Sequence, residues 1–339
     1  MSAPRNLTLD VAKGISILLM TICHLMIFQE NSFISKFNTN YIFFFTVPIF
    51  VFTSGLLFVP KDNLKKFITN KFDSLLKPIV ALAITFIAII TSIGLLNGKN
   101  LKIAFEKADL LLQNLFFPLW FPTTLFISIL LLNLILYFSK KNRGLFYIVG
   151  ISVILFVIAL NNVANPSKLI VLDTVVYFLL LLTIGYIISI KNWIHYFFKT
   201  TTFILSCITL FIFFIFKNEL NIKIDLYHNT FGNFIFTLIS LILAFIILIN
   251  ISKLIIKVPV LGKVFTACSR ASFYILAFHT VVGNKLIFPI FTRFLGNTVF
   301  CNVLQFIVTI TICIFLYKVV FYIPFVRNFM LPKKEIQSV

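Results

Sequence analysis

Residues Leu7–Phe28 read LTLDVAKGISILLMTICHLMIF, a single apolar run that contains Asp10, Lys13 and His24. A membrane-spanning helix needs about 20 mostly apolar residues, so this run predicts the first transmembrane helix. Asp10 and Lys13 lie inside the run, and no small-residue cleavage site follows it. These features favour a retained helix over a secretory signal peptide.

The rest of the chain continues the apolar pattern. Of its 339 residues, 60% are hydrophobic and 12% are charged, which a soluble core could not accommodate. We therefore predict an all-α, polytopic integral membrane protein with about ten transmembrane helices. The predicted spans are Leu7–Phe28, Asn40–Val59, Pro78–Leu96, Pro118–Ser139, Leu145–Leu160, Leu169–Ile190, Thr200–Phe216, Phe231–Ile251, Cys268–Phe291 and Val299–Val320.

The charge distribution predicts the orientation. The net charge is +19, and 18 of the 29 Lys and Arg residues fall on the side of the termini, against nine on the other side. Lys13 and Arg270 lie inside predicted spans. The positive-inside rule therefore places both termini in the cytoplasm, and it explains the basic charge without a nucleic-acid partner.

The apolar runs reach almost from end to end, which predicts one membrane domain over residues 1–330 and a short cytoplasmic tail over residues 331–339. No polar segment is long enough for an extracytoplasmic catalytic domain. The longest outer connection, Asn97–Phe117, is mildly amphipathic and suits an interfacial helix. The five cysteines form no CxxC pair or regular spacing, so no metal site is predicted.

The ionisable residues of the first helix lie on one face. Lys13 and His24 are eleven residues apart, which is three helical turns plus about 20° and a rise of about 16 Å. With Asp10, Ile17 and Thr21 they form a stripe on one face of the helix. This stripe must face a cavity, because contact with lipid would leave its polar groups without partners. The alternatives are an interfacial Asp10–Lys13 ion pair and an interhelical hydrogen bond made by His24.

The first helix resembles that of the membrane acyltransferase-3 family, whose signature is a basic residue, ten residues and a histidine. Its Asp-x-x-Lys-Gly-Ile run is most similar to the fucose 4-O-acetylase-like branch. Five further segments resemble family motifs in the same order along the chain. They are Phe43–Phe50 with Ser54-Gly55, Lys71–Pro78, Trp120-Phe121-Pro122, Gly185-Tyr186 and Ser272–His279.

The resemblance implies a membrane O-acetyltransferase that moves acetyl from acetyl-CoA to a hydroxyl of a surface polysaccharide or its lipid-linked sugar precursor. Acetyl-CoA would act as a co-substrate, with no bound cofactor, and the protein would lie in the bacterial cytoplasmic (inner) membrane. His24 would be the catalytic base, and Lys13, oriented by Asp10, would favour the anionic donor. The remaining implied roles are CoA phosphate binding by Lys71 and Lys77, and acceptor binding or support by Trp120, Tyr274 and His279.

Other functions stay open at this point. Ten spans with intramembrane charge also suit a secondary transporter, or a glycan polymerase or flippase. His195 lies in a cytoplasmic turn rich in aromatic residues, where an interfacial anchor is favoured. His228 lies near Asp225 and could contact an acceptor sugar, although a solvated loop is favoured. The sequence does not decide whether the chain forms an oligomer.

Overall fold

A computed structural model gives the fold of residues 6–25, 39–96, 120–139, 150, 170–226 and 230–333. Most of these residues are helical. The α-helices are α1 (Leu7–His24), α2 (Val47–Leu56), α3 (Leu64–Lys71), α4 (Lys77–Leu96), α5 (Trp120–Ser139), α6 (Ile170–Ile190), α7 (Ile194–Phe197), α8 (Thr200–Ile215), α9 (Phe234–Ile256), α10 (Pro259–Arg270), α11 (Ser272–Thr280), α12 (Phe288–Leu295), α13 (Val299–Tyr322) and α14 (Pro324–Met330). The other elements are a 3-10 helix (Thr39–Phe45), π turns at Phe72–Leu76 and Val281–Ile287, and the antiparallel strands β1 (Ile224–Asp225) and β2 (Thr230–Phe231).

The apolar helices confirm a helical membrane protein with several spans. Six described segments are long and apolar enough to cross a bilayer, and three shorter apolar helices accompany them. The six are Leu7–His24, Leu64–Ile89, Trp120–Ser139, Phe234–Ile256, Ser272–Leu295 and Val299–Tyr322, and the three are Tyr41–Leu56, Thr174–Ile190 and Thr200–Ile215.

These nine segments overlap nine of the ten predicted spans. The remaining one, Leu145–Leu160, lies outside the described residues apart from Gly150, as does the whole of Asn97–Phe117. The total of ten spans and the cytoplasmic placement of both termini therefore stay predictions. Within the described residues, the short β1–β2 pair is the one departure from an all-α fold.

The segment that precedes Pro78 lies outside the predicted spans, yet it is helical. Asn63 caps α3 by accepting a hydrogen bond from the backbone N–H of Lys66 (2.9 Å). The helix then continues through the first π turn, where the N–H of Lys77 bonds the carbonyl of Phe72. Pro78 cannot donate a backbone hydrogen bond, and it lies where the bonding pattern changes from π to α.

Two of the closest helix approaches depend on glycine. An ideal Cβ at Gly14 of α1 would lie 2.0 Å from the carbonyl oxygen of Phe265 in α10. At the contact between α2 and α6, a Cβ on Gly55 would lie 2.3 Å from the Leu182 oxygen, and one on Gly185 would lie 2.5 Å from the Phe52 oxygen. Small residues of this kind let membrane helices pack backbone to backbone. The Gly14 contact fixes α1 in the protein interior.

Gly14→Ala is therefore expected to destabilise the protein by about 1–3 kcal/mol, because a backbone carbonyl cannot move aside as a flexible side chain could. The measurement is the thermal stability of the purified protein, followed by size-exclusion chromatography after heating. Gly262→Ala is the matched control, since a Cβ there meets nothing closer than 3.6 Å. Equal stability of the two variants would contradict the close approach of α1 and α10.

Candidate active site

The N-terminal half of α1 borders a cavity of about 340 Å³, here called the Lys13 cavity. Asn6 caps α1 by accepting hydrogen bonds from the N–H groups of Thr8 (3.1 Å) and Leu9 (3.2 Å). This cap starts the helix at Leu7, which places Asp10 in the first turn and Lys13 in the second. Both residues line the cavity and are partly buried. The predicted placement of these two residues on one cavity-facing stripe is thus what the structure shows.

A second cation of the Lys13 cavity comes from a distant helix. Arg270 is the last residue of α10, and it lines the cavity together with Ser269 and Ser272. The wall therefore carries Lys13 and Arg270 against the single carboxylate of Asp10 among the described residues. An excess of positive charge in a concave site favours an anionic ligand. Arg270 lies inside a predicted span, and its sequence context predicts no role for it.

The other end of α1 borders a larger cavity of about 420 Å³, here called the His24 cavity. His24 is the last residue of α1 and is exposed to this space. The polar lining consists of His24, Thr46, Asp225 and Thr280, and the rest of the wall is apolar. Asp225 was not among the predicted site residues.

The two cavities meet at a set of shared apolar residues, here called the collar. The collar consists of Met20, Val47, Phe121 and Leu276, each of which lines both cavities. Met20 thus occupies the place on the α1 stripe that was predicted for Thr21. Thr21 is fully buried and donates its hydroxyl to the carbonyl of Ile17 (2.8 Å). The predicted stripe is wrong at this one position.

The side chain of His279 lies next to that of His24. Their ring centroids are 5.3 Å apart with an interplanar angle of 50°. Nδ1 of His279 lies 2.8 Å from the carbonyl oxygen of Ile275 and 2.9 Å from that of Leu276. Because a carbonyl oxygen only accepts, Nδ1 carries the proton and Nε2 is left as the acceptor. This Nε2 is buried and has no hydrogen-bond partner among the described residues.

The end of α1 is held by the second π turn. Asn284 donates to the backbone carbonyl of His24 (3.0 Å). Gln305 of α13 donates to the carbonyl of Gly283 (3.0 Å) and contacts the side-chain oxygen of Asn284 (3.3 Å). A Cβ at Gly283 would lie 2.3 Å from a methyl carbon of Leu25. π turns are frequent at functional sites, and this one fixes the position of His24 through its main chain.

The aromatic residues predicted for the site fall in different cavities. Trp120, the first residue of α5, lines the His24 cavity, where its ring centroid lies 6.0 Å from that of Phe178. Tyr274 lines the Lys13 cavity, 5.7 Å from the ring of Tyr317. His279 is fully buried and lines neither cavity.

The two lysines predicted to bind CoA have different surroundings. Nζ of Lys77 donates to the carbonyl oxygen of Leu331 (2.8 Å) and lies 3.3 Å from Oδ1 of Asp73. Leu331 lines the Lys13 cavity and Lys77 does not, so the ammonium lies just outside the cavity wall, a position here called the rim. Nζ of Lys71 lies 5.7 Å from the ring centroid of Phe67. In the described part of the chain, Lys71 lines neither cavity.

One buried cation lies outside both cavity walls. Lys217 is 7% exposed, and its ammonium lies 4.5 Å above the ring of Tyr41. Burial, reinforced by the charge of Lys223, lowers the pKa of Lys217 below its usual value. The Tyr41 hydroxyl donates to the carbonyl of Phe214 (3.2 Å), which orients the ring under the ammonium. This arrangement stabilises the turn that follows α8.

Within the described residues, the five cysteines are free and no three His, Cys, Asp or Glu side chains form a group that could hold a metal ion. His195 is exposed in the turn around α7, and His228 lies outside the described residues.

The fold and the two cavities define a polytopic membrane protein with polar groups gathered inside its helix bundle. A family profile described as an acyltransferase domain, of the acyltransferase-3 type, matches residues 6–322. This match covers nearly the whole chain, and the chain belongs to the acyltransferase-3 family. No curated protein and no solved structure matches it. The fucose 4-O-acetylase-like branch stays a prediction.

Proposed function

We propose that this membrane acyltransferase moves acetyl from acetyl-CoA, held in the Lys13 cavity, to a sugar hydroxyl in the His24 cavity. The observation that carries the proposal is the pair of cavities at opposite ends of α1, which differ in charge and meet at the collar. The acceptor is a surface polysaccharide or its lipid-linked precursor, and the protein lies in the bacterial cytoplasmic membrane.

The charge of the Lys13 cavity supports an anionic donor. Lys13 and Arg270 line it, and the ammonium of Lys77 lies at its rim. A cavity of about 340 Å³ suits the narrow pantetheine arm, and the nucleotide of CoA then remains at the rim. There its phosphates compete with the Leu331 carbonyl and the Asp73 carboxylate for Lys77. Charged acceptors make stronger hydrogen bonds than neutral carbonyls do.

His24 supplies the base for the transfer. Neutral imidazole accepts the proton of the acceptor hydroxyl while the hydroxyl oxygen bonds to the thioester carbonyl carbon. The carbon–sulfur bond then breaks, and the CoA thiolate leaves on the side of the Lys13 cavity. Lys13 is about 16 Å of helix rise from His24, so it acts on the donor and not on the reacting hydroxyl. The reacting carbonyl lies at the collar, the one region that both cavities share.

The test uses purified protein in lipid nanodiscs with acetyl-labelled acetyl-CoA and glycolipids extracted from the expressing membranes. We expect free CoA and labelled glycan in equal amounts. Glycan labelling without CoA release, or CoA release with no labelled product, would overturn the proposal. A transporter would instead move a solute across proteoliposomes without releasing CoA.

The rim position of Lys77 leads to a further prediction. Lys77→Ala is expected to raise the KM for acetyl-CoA about fivefold with little change in kcat, because a phosphate contact is equally strong in the ground and transition states. Lys71→Ala is expected to raise the KM for acetyl-CoA less, because Lys71 contributes only to the overall positive potential near the rim. Salt should mimic both effects, since the groups are partly exposed. Steady-state kinetics at several acetyl-CoA concentrations measure this.

Two variants control for this result. Lys77→Arg keeps the charge, and Lys65→Ala removes an exposed cation from α3 away from the rim. Both should keep the wild-type KM within about twofold. If Lys65→Ala raised the KM as much as Lys77→Ala, the effect would belong to overall charge and not to the rim.

A further inference from the structure

We propose that the His24 cavity binds one uncharged sugar unit, with its apolar face on Trp120 and its hydroxyls on the carboxylate of Asp225. This inference rests on the proposed function, because it names the class of acceptor that the cavity takes. It adds a binding role for Asp225 and a charge preference that the acyl transfer itself does not require.

The size and lining of the cavity fit a single sugar ring. Its volume of about 420 Å³ lies near the lower end of the range of small-molecule sites, about 300–1,000 Å³. Apolar and aromatic walls with few polar groups are typical of such sites. A pyranose ring is likewise both apolar and polar, since its C–H face is apolar and its edge carries hydroxyls. A longer glycan would have to extend out of the cavity.

Trp120 offers a fixed aromatic surface. Its ring is 6.0 Å from Phe178, which is fully buried, and 6.4 Å from Phe121 of the collar. These contacts hold the indole while its partly exposed side lines the cavity. Aromatic side chains bury large apolar areas at low cost in side-chain entropy. The C–H face of a sugar can stack there, close to the collar where the acetyl group arrives.

Asp225 is held at the cavity by the β1–β2 pair. The hydroxyl of Thr174 in α6 donates to the carbonyl of Leu226 (3.1 Å). The ring of Tyr177 stacks on that of Phe231 in β2, at 5.1 Å and 18°. The residue that follows β1 and strand β2 are thereby fastened to α6, and Asp225 of β1 lines the cavity. A carboxylate accepts hydrogen bonds from two neighbouring sugar hydroxyls, and charged hydrogen bonds are stronger than neutral ones.

The same carboxylate selects against acidic sugars. Among the described lining residues, Asp225 is the single Asp, Glu, Lys or Arg of the His24 cavity. Lys217 and Lys223 belong to the preceding turn, and neither lines the cavity. A uronic acid or sugar phosphate would bring a second negative charge into a largely apolar space, where like charges repel strongly. An uncharged sugar avoids that repulsion.

The test uses intrinsic fluorescence, because the chain has only two tryptophans, Trp120 and Trp193. Trp193 is 48% exposed in the turn before α7, so Trp193→Phe leaves Trp120 as the sole reporter at little structural cost. The probes are the methyl glycosides of glucose, galactose, fucose and N-acetylglucosamine, with methyl glucuronide as the acidic probe. Each is titrated into the protein in nanodiscs without acetyl-CoA.

We expect a saturable change with at least one neutral glycoside and at least tenfold weaker binding of the glucuronide. Asp225→Asn should weaken neutral binding about tenfold and reduce the discrimination against glucuronide. Glu219→Gln is the matched control, since it removes an exposed carboxylate from the same turn region and should change neither. Calorimetry on the wild-type protein repeats the titration without any substitution.

The outcomes separate this inference from the proposed function. No response to any neutral glycoside, or equal binding of glucuronide, would overturn the sugar site even if acetyl transfer to another acceptor were observed. Saturable, Asp225-dependent binding supports the site, and it would do so even if acetyl-CoA were never consumed. In that second case the acyltransferase proposal alone would fail.

Discussion

His24→Asn and His24→Gln are expected to lower acyl transfer by a factor of about 10² to 10⁴ while the protein still accumulates in the membrane. A general base contributes a factor of this size, and an amide takes up no proton at neutral pH. His24 lines the His24 cavity, next to the collar where donor and acceptor meet in the proposed reaction. The measurement is the rate of acetyl transfer, corrected for the amount of protein in the membrane.

The structure allows a clean distinction from a structural role. The hydrogen bond between α1 and the second π turn runs from Asn284 to the backbone carbonyl of His24. Every substitution at position 24 keeps this carbonyl. A histidine that only bridges helices contributes about 1 kcal/mol, and an amide would replace most of it. His195→Asn makes the same exchange outside both cavities and should be fully active. An active His24→Gln protein would remove the histidine from the mechanism.

Lys13→Ala is expected to lower kcat/KM for acetyl-CoA by roughly 10²-fold, whereas Lys13→Arg retains most of the activity. A hydrogen bond to a charged group contributes about 1.5–3 kcal/mol, and the Lys13 cavity keeps its positive excess only while position 13 is cationic. Alanine leaves Arg270 and Asp10 as an approximately neutral pair. Steady-state kinetics on protein in nanodiscs give the ratio.

Two comparisons between variants test whether position 13 supplies charge or shape. Arg270→Ala should resemble Lys13→Ala, because both residues contribute charge to the same cavity. Equal losses in Lys13→Arg and Lys13→Ala would contradict the electrostatic role. They would show that the shape of the lysine, and not its charge, is required at this position.

Local periodicity predicted the cavity-lining face of α1 well. Steps of three and four residues place Asp10, Lys13 and His24 on one face, and the structure puts all three in cavity walls. The same steps do not distinguish Thr21 from Met20, since both fit between Ile17 and His24. Packing against neighbouring helices buries Thr21 and leaves Met20 in the collar. That choice depends on tertiary contacts, which a single helix does not encode.

Contacts between distant parts of the chain could not be predicted from the sequence. His24 and His279 are 255 residues apart, and nothing local to either shows that their rings approach within 5.3 Å. Arg270 could have been suspected, because it is an intramembrane cation two residues before the Ser272–His279 segment. Hydropathy also could not show that the polar stretch before Pro78 is helical, since it separates apolar from polar and not helix from loop.

The central claim is that acetyl passes from the Lys13 cavity to the His24 cavity, across the collar. Its most direct test is a vectorial assay in proteoliposomes, with acetyl-labelled acetyl-CoA outside and the glycolipid extract incorporated in the bilayer. External enzymes that destroy acetyl-CoA and deacetylate accessible glycans then report the side of each compound. We predict that labelled acetyl appears on glycan that the external esterase cannot reach, that unlabelled CoA stays outside in equal amount, and that His24→Gln abolishes both. Labelled glycan found only on the outer, esterase-sensitive face, or intact acetyl-CoA inside the vesicles, would contradict the account.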